Sequence, residues 1–448
     1  MGRLFGTDGV RGVANRDLTP ELAMKIGRAT ACVLTDSGKQ PRILIGRDTR
    51  ASGDMLQAAL TAGLCSVGAD VVLLGVVPTP AVAYLVGKLH ADAGVMISAS
   101  HNPCEFNGIK IFSGEGYKLP DALEEEIENL VFDEEKLPEA PISGGVGQVK
   151  ERYDAIDLYV DHLERSAPNR LDGLHIAIDC ANGSASRTAQ RVFTDLGADC
   201  HMMACEPNGV NINDECGSTH METLMEFVVK NKLDAGIAFD GDADRCLAVD
   251  ENGQMVDGDF MMAICALDMK SRGVLRHDTV VGTVMTNMGF VRFCQDNGLN
   301  FVATKVGDRY VLEEMLLKGY SFGGEQSGHY IFREFATTGD GQLSAVQFLS
   351  ILSRRHARLS SLITVMERYP QVLINVRVSN EGKRRFYTDA DVRAAVQRAE
   401  ALLGEDGRLL VRPSGTEPLL RVMTEGRDHG LITRVANDVA DVLRDRLA

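Results

Sequence analysis

Short apolar runs alternate with amphipathic stretches along most of the chain, and the alternation comes round three times. The first round begins with Arg42-Ile43-Leu44-Ile45-Gly46, which has the length and composition of a buried strand. The polar segment Arg47-Asp48-Thr49-Arg50 follows. Then come Met55, Leu56, Ala59, Leu60 and Leu64 at helical spacing, a stop near Gly68, and a second run, Val71-Val72-Leu73-Leu74-Gly75. Strand, helix and strand in that order predict a parallel βαβ unit, because parallel neighbours need a crossover long enough for a helix. The second round runs from His175-Ile176-Ala177-Ile178-Asp179 through Ala181-Asn182-Gly183-Ser184 to a helix past Val192 and Leu196, then Met202-Met203-Ala204. The third runs from Thr279-Val280-Val281-Gly282-Thr283-Val284 through Asn287-Met288-Gly289 to a helix ending at Asn297-Gly298, then Phe301-Val302-Ala303.

Each round closes on one more apolar run and a polar loop. Ala93 to Ile97 leads into Ser98-Ala99-Ser100-His101-Asn102-Pro103, and Ala235 to Phe239 into Asp240-Gly241-Asp242-Ala243-Asp244-Arg245. Tyr320-Ser321-Phe322 leads into Gly323-Gly324-Glu325-Gln326-Ser327-Gly328-His329. Ligand sites of open α/β sheets collect at strand ends, so three polar loops at equivalent places predict one shared cleft. Ahead of these rounds, Thr19 as N-cap and Pro20 at the first position start a helix expected to reach Leu34. After Tyr369-Pro370, where a hinge is expected, the order changes to strand, helix, two strands and a last helix from about Leu431. The predicted fold class is α/β: three related mixed α/β domains (1–155, 156–252 and 253–368) plus a C-terminal α+β domain (369–448) around a central cleft.

The formal net charge of −16 argues against nucleic acid or an anionic membrane as partner, yet it leaves room for a local basic pocket. No apolar run is long enough to span a bilayer, and the first residues lack the apolar core of a signal peptide. Ten cysteines without a Cys-x-x-Cys pair fit reduced thiols and predict a cytoplasmic enzyme.

The loops divide the chemistry. Asp240, Asp242 and Asp244 alternate with small residues, so an extended loop brings three carboxylates to one face. Such a cluster calls for a cation, and hard oxygen ligands select Mg²⁺, with Ca²⁺ or Mn²⁺ as substitutes. An EF-hand is excluded although Glu251 falls at its twelfth position, because Arg245 occupies the sixth, where glycine is needed. Glu325, Gln326, Ser327 and His329 offer a carboxylate, an amide, a hydroxyl and an imidazole, a set suited to sugar hydroxyls or an amine. Arg412-Pro413-Ser414-Gly415-Thr416-Glu417-Pro418, with Arg421 beyond, supplies guanidinium groups, hydroxyls and a glycine-freed backbone for phosphate. Gly6 to Gly12, with Arg11, reads as bent backbone near an anion. A serine on a tight loop, a divalent cation, a polyol-reading loop and a separate phosphate site point to phosphoryl transfer on a substrate that keeps one phosphate while another moves.

Four such loops in this order over essentially the whole chain resemble the α-D-phosphohexomutase superfamily. Ser98 to Pro103 looks like its phosphoserine loop, Asp240 to Arg245 its metal loop, Gly324 to His329 its sugar loop and Arg412 to Pro418 its phosphate loop. Gly6 to Gly12 and the Glu-Gln-Ser-Gly-His form of the third loop resemble the branch acting on glucosamine phosphates. The resemblance implies that a phosphorylated amino sugar, glucosamine 6-phosphate, is exchanged with glucosamine 1-phosphate through a 1,6-bisphosphate, feeding UDP-N-acetylglucosamine synthesis. It implies Ser100 as the phosphoryl carrier, His101 positioning it, and Mg²⁺ on Asp240, Asp242, Asp244 and a phosphoryl oxygen of Ser100. Arg11 and Arg245 would steady the moving group, while Lys110 and His329 move protons. Glu325, Gln326 and Ser327 would read the sugar, and Arg412, Ser414, Gly415, Thr416 and Arg421 would grip the idle phosphate. The resemblance is compatible with a homodimer. Ser98 stands where threonine is common, and Cys104 next to the loop predicts sensitivity to oxidation. A glucose or mannose phosphate mutase, a Mg²⁺-dependent sugar phosphatase with an aspartate nucleophile, and a non-enzymatic sugar-phosphate sensor stay open as alternatives.

Overall fold

The computed structural model describes residues 4–6, 8–34, 40–414 and 418–447. Its first sheet has six strands in the spatial order Val10–Val13, Phe106–Ser113, Ala93–Ile97, Arg42–Arg47, Asp70–Val76, Val149–Glu151. The second has five, ordered Met255–Val256, Cys246–Asp250, Ala235–Phe239, His175–Asp179, Asp199–Met203. The third has four, ordered Asn300–Thr304, Thr279–Thr283, Phe322–Gly324, Tyr330–Phe332. One plan recurs in all three. The first strand of each round is parallel to the second on one side and to the third on the other, and the third then folds back into an antiparallel partner. The residue pairs that close these hairpins are Ile97 with Ile109, Phe239 with Cys246 and Gly324 with Tyr330. Each polar loop is therefore the connection at the carboxyl end of the third strand.

Burial explains why these segments are strands. Every residue of Ala93–Ile97, Ala235–Phe239 and Thr279–Thr283 is buried, so continuous apolar runs are needed in place of alternation. The helix Ser52–Ser66 buries Leu56, Leu60 and Leu64, the spacing that keeps one face on the core. The helix Pro20–Val33 begins at the expected cap, where Thr19 Oγ1 accepts from Leu22 N at 3.2 Å. The helix Ile156–Ser166 links the first and second sheets, and Tyr159 on it donates to Asp340 at 2.9 Å. The second sheet runs on past the turn at Asp250 to Asn252, since Val256 pairs with Ala248.

The chain forms two compact units. One comprises the residues up to Met285 together with Gly298–Val365, and the other comprises Thr286–Asn297 and Met366 onward. In the second unit a three-stranded antiparallel sheet, ordered Gln371–Arg377, Leu419–Gly426, Gly407–Pro413, is covered by the helices Ala390–Leu403 and His429–Leu447. The helix Met288–Asp296, read from sequence as part of the third round, belongs to this unit. Asn287 caps it, donates to Glu425 at 2.5 Å and exchanges two bonds of 3.0 Å with Tyr369. Tyr369 is thus a buried anchor inside the second unit, and the break between units falls before Met366 instead of at Tyr369-Pro370. Among the described residues no helix is long and apolar enough to cross a membrane.

Candidate active site

Ser100 stands in the left-handed region at φ 52°, a conformation costing a residue with a side chain about 1–3 kcal/mol. A clamp holds it there. Arg50 donates from Nη2 to the carbonyls of Ser100 and Asn102, both at 2.9 Å. Asn213, from the second sheet's loops, donates Nδ2 to the same two carbonyls at 2.9 and 3.0 Å. Asp48 pairs with Arg50 at 3.2 Å, both side chains fully buried, and accepts at 2.5 Å from Ser98 Oγ, which in turn accepts from Ser100 N at 2.9 Å. Burial pushes the Asp48 carboxyl up in spite of Arg50, as expected for an ion pair taken wholly out of water. The serine at position 98 therefore does the bridging for which only a hydroxyl is needed.

Ser100 Oγ donates to Asp240 Oδ2 at 2.6 Å and lies 3.3 Å from His101 Nδ1. Burial, then the charges of Arg245 and Arg11, lowers the His101 imidazole to about 4, so it is neutral at neutral pH. The three loop aspartates are buried and offer carboxylate oxygens within 4.8 Å of one another. They converge differently from the extended loop expected. Ala243 is left-handed at φ 58° and its N–H reaches back to Asp240 O at 3.1 Å, so a turn gathers the carboxylates. Gly241 has to be glycine, because a Cβ there would sit 2.6 Å from the Ser100 carbonyl oxygen. The serine and metal loops touch backbone to backbone at this point.

The donor set fits a hard divalent cation. Asp242 Oδ1 and Asp244 Oδ1 are buried and accept no hydrogen bond, while every ligand atom in the cluster is a carboxylate oxygen. Burial, with the charges of Asp244 and Asp242, pushes the Asp240 carboxyl well above the usual range. Asp244 goes the other way: burial opposes its ionisation, but Lys110, His329 and Arg245 outweigh that. Crowded carboxylates pull their titrations apart in this way when only part of their charge is matched.

Lys110 Nζ sits 2.8 Å from Asp242, 2.9 Å from Asp8 and 3.5 Å from Asp244. Burial lowers its proton affinity, yet Asp242, Asp8 and Asp244 raise it well above an ordinary lysine. His329 lies 3.7 Å from Asp244 through Nδ1 and 3.3 Å from Asp308 through Nε2. Against burial, Asp308 and Asp244 push the imidazole up to about 10. Nε2 is also 3.1 Å from Gly339 N, a contact suited only to the neutral ring, and the two carboxylates favour the protonated form instead. Arg11 bonds Asn102 Oδ1 and Asp8, each at 3.0 Å, and Arg245 lies 3.9 Å from Asp244. Glu325 Oε1 accepts from Gly307 N at 3.0 Å, Gln326 O accepts from Gly258 N at 3.1 Å, and Ser327 is exposed.

In the second unit Arg412 and Arg421 are cross-strand partners, so their side chains share a face. Burial, then Arg421, lowers the Arg412 guanidinium. Lys383 donates to Ser414 O at 2.8 Å. Gly415 and Thr416 lie outside the described residues. At Cys104, burial and then Glu105 push the thiol up, the opposite of what makes a cysteine reactive.

Sequence reading passed over Asp8, Asp48, Arg50, Thr79, Lys118, Asn213 and Asp308. Thr79 donates to Asp242 at 2.6 Å, and Lys118 reaches Asp8 and Asp308 at 2.6 Å each. Asp48 and Arg50 carried a signal, as polar residues directly after a buried strand, and Asp8 lay within the Gly6–Gly12 stretch read as bent backbone near an anion.

Models of the phosphoglucomutase/phosphomannomutase alpha/beta/alpha domains I, II and III match residues 2–138, 157–253 and 257–369, and that of the C-terminal domain matches 373–442. Phosphoglucosamine mutases of Caldanaerobacter subterraneus and Acetivibrio thermocellus are 52% and 53% identical, covering 100% of both chains. A phosphoglucomutase/phosphomannomutase family protein of Burkholderia thailandensis superposes with TM-score 0.84 at 23% identity, covering 99% of this chain and 98% of its own. Aspergillus fumigatus N-acetylphosphoglucosamine mutase, solved with GlcNAc-6P and magnesium, gives 0.72 at 16%, covering 99% and 96%.

Proposed function

The chain belongs to the phosphoglucomutase/phosphomannomutase family, and from that membership we propose that it interconverts glucosamine 6-phosphate and glucosamine 1-phosphate. It is an isomerase of the phosphotransferring kind. One observation carries the assignment of the reacting group: the Ser100 hydroxyl bonded at 2.6 Å to a carboxylate of a buried three-aspartate cluster.

Ser100 carries the phosphoryl group. In the first half-reaction its phosphorus–Oγ bond breaks as a bond forms to the free hydroxyl oxygen of the bound monophosphate, giving a 1,6-bisphosphate. In the second the other phosphate returns to Oγ. Asp240, Asp242 and Asp244, with a phosphoryl oxygen on Ser100, would hold Mg²⁺, which would supply charge stabilisation there. Arg11 and Arg245 neutralise the travelling group from the protein side. Lys110 and His329 lie beside the metal loop, within 2.8 Å of Asp242 and 3.7 Å of Asp244 respectively, and move the proton to and from the reacting oxygen. By microscopic reversibility, a group that gives its proton in one half-reaction takes one in the other. His101, neutral, orients Ser100. Glu325, Gln326 and Ser327 read the sugar, and Arg412, Ser414, Gly415, Thr416 and Arg421 hold the phosphate that does not react. We assign these four tasks to the segments 1–155, 156–252, 253–368 and 369–448, with the helix Met288–Asp296 packed into the last of the four, and place the enzyme in the cytoplasm.

The test offers glucosamine, glucose and mannose 6-phosphates side by side in an isomerisation assay, with mass spectrometry of the purified protein. Glucosamine 6-phosphate turning over fastest, with phosphate on Ser100, is the expected outcome. Preference for another sugar defeats the substrate assignment, and an enzyme that isomerises without ever carrying phosphate on Ser100 defeats the mechanism.

A further inference from the structure

Six charged side chains close a ring beside the metal loop, with signs alternating throughout. From Asp244 it passes to Lys110 at 3.5 Å, Asp8 at 2.9 Å, Lys118 at 2.6 Å, Asp308 at 2.6 Å, His329 at 3.3 Å and back to Asp244 at 3.7 Å. The members come from distant parts of the chain: Asp8 from ahead of the first round, Lys110 and Lys118 from its end, Asp244 from the second, Asp308 and His329 from the third. Three carboxylates alternate with two lysines and an imidazole, so each carboxylate has a nitrogen partner on either side, and that pairing allows such a cluster to sit largely out of water.

We propose that Lys118 is a positioning residue for phosphoryl transfer: it pins Asp8 and Asp308, and through them holds Lys110 and His329 on either side of the metal loop. Its placement supports this. Lys118 is across the ring from Asp244, and both of its short bonds go to carboxylates that each hold one of the two proton carriers. Its backbone is fixed by a bridge to Phe112, two residues along the strand from Lys110. A lysine acting only as a strap between segments would need one carboxylate. Here a single ammonium divides itself equally between two, so removing it unpins Asp308 beside His329 and loosens Asp8, which Arg11 and Lys110 still hold. A displacement of an ångström at reacting groups is enough to cost large factors in rate.

The inference rests on the proton-transfer roles given above to Lys110 and His329, and its test separates the two. Steady-state isomerisation is measured on the full-length enzyme for K118M, K118R and K118M/D308N, below each melting temperature, with K110A and H329A alongside. K118M is expected to lower kcat by about 10²-fold while KM moves by less than about threefold, and K118R to recover most of the loss. K118M/D308N leaves no surplus carboxylate at that corner, so it folds even if K118M does not, and it stays slow. A kcat for K118M or the double variant within about twofold of the parent, a loss carried by KM alone, or no recovery in K118R overturns the positioning role while K110A and H329A remain slow. Full turnover in K110A and H329A instead defeats the proton-transfer reading, and the positioning role falls with it.

Discussion

Around the metal loop, Lys110, Lys118, His329 and Arg50 each have a carboxylate within 3.7 Å, whereas in the C-terminal unit Arg412 stands across the strand register from Arg421. The first region is close to electrically complete before any substrate arrives. The second sets two guanidinium groups on one face, and burial with the Arg421 charge lowers that of Arg412; in the proposed role, an arriving anion would relieve that repulsion. Chemistry benefits from the first arrangement, because groups already fixed need no reorganisation when charge moves. Capture benefits from the second, because repulsion relieved on binding adds to affinity.

That contrast can be broken by substitution, beginning with its strongest consequence. Ser100→Ala removes the proposed phosphoryl carrier, and turnover is expected to fall by at least about 10⁴-fold with the melting temperature nearly unchanged. Retained isomerisation in a coupled assay would mean that the complete region is not the reacting one. Arg50→Met strips the buried Asp48 of its ion-pair partner and leaves the carbonyls of Ser100 and Asn102 to Asn213. A loss of about 3–5 kcal/mol in urea unfolding is expected, and a variant as stable as the parent would show that the clamp carries no strain. Arg412→Ala acts on the other region. It should raise KM by about ten- to a hundredfold, the value of a charged hydrogen bond, and leave phosphate on Ser100 by mass spectrometry. A fall in kcat with KM unmoved would merge the two regions into one.

The smallest effect concerns pH. Burial lifts the Asp340 carboxyl to about 7, against the hydrogen bonds from Leu343 N and Tyr159 that favour its charge. The folded protein thus binds a proton that the unfolded chain has already released, and stability falls as pH rises through 7. Between pH 6 and 8 the expected loss is about 1.4 kcal/mol, read from denaturation at several pH values. Asp340→Asn should flatten that segment of the curve; an equal slope in the variant would assign the proton elsewhere.

The four polar loops and the three strand orders could be read in sequence because each rests on contiguous residues: a buried run, then a cluster of polar types. The clamp and the ring could not. Lys118 and Asp308 sit in segments with no motif of their own, Asp8 sits in the Gly6–Gly12 stretch noted only for its backbone and Arg11, and the three meet because separate segments bring them together. Asn213 is likewise invisible until its loop is seen against the serine loop. The three carboxylates of the metal loop come together as expected, but through a turn and not an extended backbone, since alternation of Asp with Gly and Ala suits either. The helix after Asn287 follows the sequence pattern of the third round, yet its capping residue is claimed by Glu425 and Tyr369, contacts that periodicity does not register.

The alternating ring also has an order in time. A chain emerging from the ribosome delivers Asp8, Lys110, Lys118, Asp244, Asp308 and His329 in that sequence. Stopped after Lys118 it holds a surplus cation, and stopped after Asp308 a surplus anion; the tally returns to zero for good only when His329 appears. Nascent chains short of that residue keep these side chains hydrated, so the catalytic chamber is a late product of synthesis, and shortened chains ending before His329 will bind no sugar phosphate productively.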